Sequence, residues 1–143
     1  MDLTEKFYRG FEPVNVDENG IHLPSEFDSI FHRRNPVDHK GYVVPLIDQE
    51  ERCLMYFDAN SLEYMAQRSG IDKDWREMKR LVGTKGKPFE VKEGVIGLDN
   101  ELTKLVGIKD EALIIGALNH LELWNPDQYE KFKIFEREYY KTL

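Results

Sequence analysis

The sequence predicts an α+β fold, mainly β, made from two copies of one supersecondary unit related by a pseudo-twofold. Three observations lead there. Residues 88–132 alternate apolar strand and turn, with period two most legible at Leu121-Glu122-Leu123-Trp124. Residues 11–57 repeat the same order of hairpin, short helix and two strands. The stretch FEPVNVDENGIHLPSEF matches FEVKEGVIGLDNEL, and CLMYFDANSLEYM matches LELWNPDQYEKF, each of the latter a strand running through an Asx cap into an amphipathic helix. A unit of about 40 residues is marginal alone, so the two copies must share a core. The expected organisation is one domain: a first half over 1–57, connecting helices over 58–87, and a second half with a C-terminal helix over 88–143.

Taken in order, Phe11 to Val16 reads as a strand and Asp17-Glu18-Asn19-Gly20 as a type I′ hairpin turn into Ile21-His22-Leu23, stopped by Pro24. Ser25 caps a short helix through Ile30 and Phe31, after which His32-Arg33-Arg34-Asn35-Pro36 forms a loop because proline forbids further helix. Gly41 to Ile47 and Cys53 to Phe57 pair as strands around a polar turn. Asp58 caps a helix over 59–68, and a second helix over 72–82 turns Trp75, Met78, Leu81 and Val82 inward, with Lys73, Arg76, Lys79 and Arg80 outward, until Gly83 breaks it. In the second half, strands around Phe89–Val91 and Val95–Leu98 flank Glu93-Gly94. A short helix follows, capped at its C-terminus by Gly107, then strands over 112–115 and 121–124. Asn125 and Pro126 open the last helix, to about Lys141, with an aromatic stripe of Tyr129, Phe132, Phe135 and Tyr139 that packs on a core or a neighbouring subunit.

Composition narrows the function. No apolar run reaches the roughly 20 residues of a membrane span and the start MDLTEKFYRG lacks a signal-peptide core, so a cytoplasmic protein is expected. The single cysteine, Cys53, excludes an intrachain disulfide and reads as a buried apolar residue. The net charge of −7 argues against indiscriminate nucleic-acid binding, yet residues 68–92 hold 8 basic and 4 acidic residues. His22, His32, His39 and His120 lack ligand spacing, and Gly83 to Pro88 fails the phosphate-loop pattern because Lys87 precedes proline. No catalytic residue, metal, cofactor or small-molecule substrate is expected.

With these residues in view, the chain resembles the MraZ family of bacterial transcriptional regulators, built from two AbrB-like halves. Tyr8-Arg9-Gly10, the turn from Asp17 to Pro24, Cys53-Leu54 before a helix, and Leu121 to Trp124 before a helix carry the resemblance from Tyr8 to about Phe132. It implies a duplicated swapped-hairpin barrel with peripheral helices, a ring-shaped homo-oligomer, and DNA recognition of tandem operator repeats by the turn-bearing face. The DNA-binding residues it implies at the turns are Arg9, Asn19, Gly20, His22, Lys92 and Gly94, flanked by Arg33, Arg34, Lys85 and Lys87. The chain departs from the family in its turns. The first is one residue short and has Ile21 where arginine is expected, the second follows Gly94 with Val95, and Leu98-Asp99 replaces an apolar-proline step. Arginine reads guanine edges and clamps phosphate bidentately. Its loss from both turns motivates an alternative, a relative that has exchanged DNA for a protein partner.

Overall fold

The computed structural model describes residues 6–67 and 73–142. These form eight strands, β1 (Phe11–Asp17), β2 (Gly20–His22), β3 (Lys40–Asp48), β4 (Glu51–Asp58), β5 (Lys87–Lys92), β6 (Val95–Ile96), β7 (Glu111–Gly116) and β8 (Leu121–Trp124). Five helices accompany them: α1 (Ser25–Arg34), α2 (Ala59–Gln67), α3 (Lys73–Lys85), α4 (Asn100–Leu105) and α5 (Pro126–Lys141). The strands close into an antiparallel barrel in the order β1-β2-β6-β5-β3-β4-β8-β7. The first hairpin reaches into the second half, where β1 pairs with β7, and the second reaches back, where β5 pairs with β3. This is the expected swap. The hairpins meet at β2 and β6, with Ile21 opposite Ile96, both essentially unexposed.

Side-chain alternation explains why β4 reads as an unbroken apolar run. Leu54 and Tyr56 point into the barrel, while Cys53, Met55 and Phe57 face an outer layer with Met65 of α2, Leu81 of α3 and Trp124 of β8. A strand covered on both faces has no polar register to display. Burial in that layer pushes the Cys53 thiol up. Phe27 and Phe31 of α1 and Leu102 of α4 plug the interior.

Several local expectations need correcting. Helix α1 begins at Ser25, preceded by Pro24 with no side-chain cap, and runs on to Arg34, because Asn35 Nδ2 closes it on the Phe31 carbonyl at 2.9 Å. Helix α3 passes through Gly83 to Lys85, its apolar residues Leu81 and Val82 held by the outer layer. Arg68, Asp72 and the side chains of Lys73 and Trp75 lie outside what is described. The caps that hold are Asp58, whose carboxylate accepts from Ser61 N–H at 2.9 Å, and Asn125, followed by Pro126 at the first turn of α5. Asp99 caps α4 through Leu102 N–H, giving the unusual Leu98-Asp99 step a local purpose. Gly107 has φ +72 and ends that helix, as its sequence position predicts. Among the described residues, no helix is long and apolar enough to cross a membrane.

Candidate nucleic-acid interface

The two hairpin turns converge at one end of the barrel. Each connects its strands through two residues, Glu18-Asn19 and Glu93-Gly94, since Asp17 pairs with Gly20 and Lys92 with Val95. The turns nevertheless differ in kind. Glu93 and Gly94 have φ +52 and +75, the double left-handed conformation of a type I′ turn. Glu18 and Asn19 do not adopt it, so the type I′ expectation fails for the first turn. There the Asp17 carboxylate does the folding, accepting from Asn19 N–H at 2.9 Å and Gly20 N–H at 3.3 Å. The Asn19 amide above all, helped by His22 and then by the Gly20 amide, holds that carboxyl below the usual range against the desolvation that would raise it.

Gly20 is locked in place by its surroundings. Its φ is +135, and a side-chain carbon there would collide with the Ile96 carbonyl of the neighbouring hairpin. Gly20→Ala is therefore expected to lower stability by about 2 kcal/mol or more, read from the denaturant midpoint.

Between the turns lies a groove of about 700 Å³, lined in part by Asn19, His22, Lys92, Val95 and Leu98. Lys92 is 78% exposed and only loosely associated with Glu90 at 3.8 Å. His22 Nε2 sits 2.8 Å from Asp17 Oδ2, an ion pair only when the imidazole is protonated. Gly94 presents its carbonyl inward to Leu23 N–H at 2.9 Å, so it anchors the second turn to the start of α1. Asp17, Glu18, Glu90 and Glu93 flank the same groove, so the turn end carries at least as much negative as positive charge.

The other sequence-predicted residues lie elsewhere. Arg9 is at the opposite end of β1 from the turn, about 20 Å along the strand, and shares a cleft with Arg33. Lys85 ends α3 beyond the far end of β5. Lys87 Nζ bridges Asp99 at 3.2 Å and Glu101 at 3.0 Å, tying β5 to the start of α4. Arg34 is withdrawn into the molecule: its side chain is 9% exposed and holds Asp58 through Nε at 2.7 Å and Ser61 Oγ at 2.7 Å. Arg34 and Lys87 are thus structural ties, a correction to their placement beside the turns.

The Asp58 site is the feature that sequence reading missed. Besides Arg34, the carboxylate receives the Tyr8 hydroxyl at 2.6 Å and Asn35 Nδ2 at 3.0 Å, and Ser61 donates onward to the Asn119 carbonyl. Burial by itself would raise the Asp58 carboxyl, but the hydrogen bonds from Arg34, Tyr8 and Asn35 outweigh it and hold the group below its ordinary value. Tyr8 and Asp58 are 50 residues apart, so no local pattern betrays the pair. Among the described residues, no group of three His, Cys, Asp or Glu side chains is arranged to hold a metal.

No protein-family model matches the chain. It is similar to the transcriptional regulator MraZ of Shewanella baltica strain OS155, at 27% identity over 132 residues, covering 85% of this chain and 82% of that protein. It is similar at 27% identity over 128 residues to the protein of the same name from Shewanella oneidensis, covering 82% of this chain and 79% of that one. With the corresponding protein of Shewanella putrefaciens strain CN-32 the identity is 28% over 128 residues.

Proposed function

We propose, from 27% identity over most of the chain to proteins named transcriptional regulator MraZ, that this chain is a divergent member of that family and a transcriptional regulator that binds tandem DNA repeats as a ring of identical subunits. The observation that carries this reading is the meeting of both hairpin turns at one end of a closed barrel, which gives each subunit a double contact for a DNA backbone. The halves 1–57 and 88–143 each supply one turn, with 58–87 as the connection. Lys92 supplies phosphate affinity, and His22 and Asn19 offer hydrogen-bonding groups at the groove. With so few free cations per subunit, single contacts are weak. Several subunits on repeated sites compensate through effective concentration.

A mobility-shift titration with DNA from upstream of its own gene, at two salt concentrations, tests the reading. Lys92→Ala is expected to weaken binding and to reduce the slope of log affinity against log salt by about 0.9 for each subunit engaged on the DNA, the share of one phosphate apiece. Arg9→Ala, far from the turns, is expected to leave the slope unchanged. No shift at low salt by an assembled oligomer would refute DNA binding.

The acidic residues Asp17, Glu18, Glu90 and Glu93 around the same groove favour a second reading, a regulator that works through a protein partner. Pull-down from nuclease-treated lysate separates the two, since partners that vanish with the nucleic acid support the first.

A further inference from the structure

The pseudo-twofold that relates the halves passes through the Met55 and Glu122 pair of β4 and β8, which lies midway between the pairs Leu54 with Leu123 and Tyr56 with Leu121. Three residues past each centre stands a helix cap, Asp58 for α2 and Asn125 for α5. Three residues past each cap, a side chain ties the helix to a turn of the other half, Ser61 to the Asn119 carbonyl and Gln128 Nε2 to the Glu50 carbonyl at 2.6 Å. The geometry repeats, but the charge does not. Asp58 is a carboxylate and takes up Arg34. Asn125 is a neutral amide, its Oδ1 accepting from the Asp127 and Gln128 N–H groups and its Nδ2 donating to the Gly107 carbonyl at 2.6 Å.

The helices beside the two caps differ as well. α1 has ten residues and its last turn carries Arg34, whereas α4 has six and ends at Leu105. Where Arg34 and Asn35 reach the first cap, the second half has a cleft of about 390 Å³ at the meeting of α4, β4 and α5. Arg52, Lys104 and Lys131 line it, one from each element, and none of these side chains has a hydrogen bond or ion pair among the described residues. Asp127 is the one carboxylate in the lining, so three cations less one acid leave a charge of +2. The neighbouring acids on these helices are paired elsewhere, Glu130 with Lys133 at 3.5 Å and Glu101 with Lys87 at 3.0 Å. Glu51, adjacent to Arg52 in β4, points to the other side of the strand.

We infer that this cleft binds a small phosphorylated molecule, its phosphate held by Arg52, Lys104 and Lys131. The charge of the lining matches a phosphomonoester, which carries about −1.5 to −2 at neutral pH. Cations reaching in from three elements suit a tetrahedral group with several oxygens better than a flat carboxylate, and the guanidinium fork can take two of those oxygens at once. The volume lies within the ~300–1,000 Å³ of small-molecule sites, and Leu105, 51% exposed, offers the organic part an apolar wall. A nucleic-acid strand has a phosphate at every step and would press the next one against Asp127, so the lining favours a single phosphate on a small body. The first N–H groups of α5 take no part, since Asn125 already occupies them. The inference stands independently of DNA binding.

The test is calorimetric titration of the full chain at low chloride with ribose 5-phosphate, inorganic phosphate and ribose as probes, with circular dichroism to verify that each variant is folded. The two phosphates are expected to bind saturably, one per chain, and ribose not to bind. Arg52→Ala, Lys104→Ala and Lys131→Ala are each expected to weaken binding about threefold to fivefold, the scale of an exposed ion pair, and the three together to abolish it. Asp127→Asn is expected to tighten binding by a similar factor, which a merely structural role would not produce. The triple variant is expected to shift DNA as the wild type does. Undiminished phosphate binding by the folded triple variant, equal binding of ribose and ribose 5-phosphate, or no saturation with either phosphate would overturn the inference. A triple variant that loses its DNA shift, when the wild type binds neither phosphate probe, would overturn it and assign the three cations to the nucleic-acid backbone.

Discussion

Ile21→Arg is expected to abolish folding, whereas Val95→Arg is expected to fold and to bind DNA more tightly. Both substitutions place an arginine where the family resemblance leads one to be expected, but the barrel treats the two sites differently. Ile21 is fully buried at the seam where the hairpins meet, opposite Ile96. A guanidinium there would have no counter-charge, at a cost on the order of 5 kcal/mol, comparable with the whole ~5–15 kcal/mol that stabilises a small domain. Ile21→Val, by contrast, should cost only about 0.5–1.5 kcal/mol. Val95 is half-buried at the rim of the groove, beside His22 and Lys92. A long side chain there can reach solvent, so Val95→Arg should change stability by less than about 1 kcal/mol and steepen the salt dependence of DNA binding by about 0.9 for each subunit engaged. Circular-dichroism melting and the mobility-shift titration measure the two halves of this prediction. A cooperative wild-type melt for Ile21→Arg would refute the seam as described.

Removing the Asp58 carboxylate should be nearly as damaging. Asp58→Ala leaves the Arg34 guanidinium and the Tyr8 hydroxyl without their shared acceptor in a site 1–9% exposed, and deprives α2 of its cap. Breaking one side of a buried pair costs about 3–5 kcal/mol, or roughly 10–20 °C in melting temperature for a chain of this size. Asp58→Asn adds a pH arm. The folded-state carboxyl titrates below the unfolded value of about 4, so its contribution is present above that pH and is lost as pH falls through the lower folded value. The stability gap between wild type and Asp58→Asn should therefore be constant near neutrality and narrow below about pH 4. A gap that does not depend on pH would mean that the ionised carboxylate is not what Arg34 holds.

What could be read from the chain followed the range of the physics. Strand alternation, Asx caps at Asp58 and Asn125, and the glycine ending α4 act within a few residues, and they appear where the pattern puts them. Helix α1 outran its predicted end because Asn35 satisfies the last turn, a side-chain choice that proline at position 36 conceals. The first turn defeated its own signature for a related reason: Asp17, not a pair of left-handed residues, folds it. Long-range pairing was invisible. Arg34 and Lys87 look like loose cations in the sequence, and only the barrel brings Asp58, Asp99 and Glu101 to them. The division of the DNA candidates is also a matter of strand length, since Arg9 and Asn19 are near in sequence and lie at opposite ends of β1.

The exchange of hairpins has a consequence for synthesis on the ribosome. β1 takes as its neighbour β7, whose Ile115 pairs with Phe11 from about a hundred residues later in the chain. At ~5–20 residues per second, the first hairpin waits roughly 5–20 s with an unpaired edge before its partner is made. A protein so rich in distant pairings should also refold slowly, in milliseconds to seconds. During that wait the N-terminal half is the segment a chaperone would meet, and the one most exposed to pairing with the wrong chain.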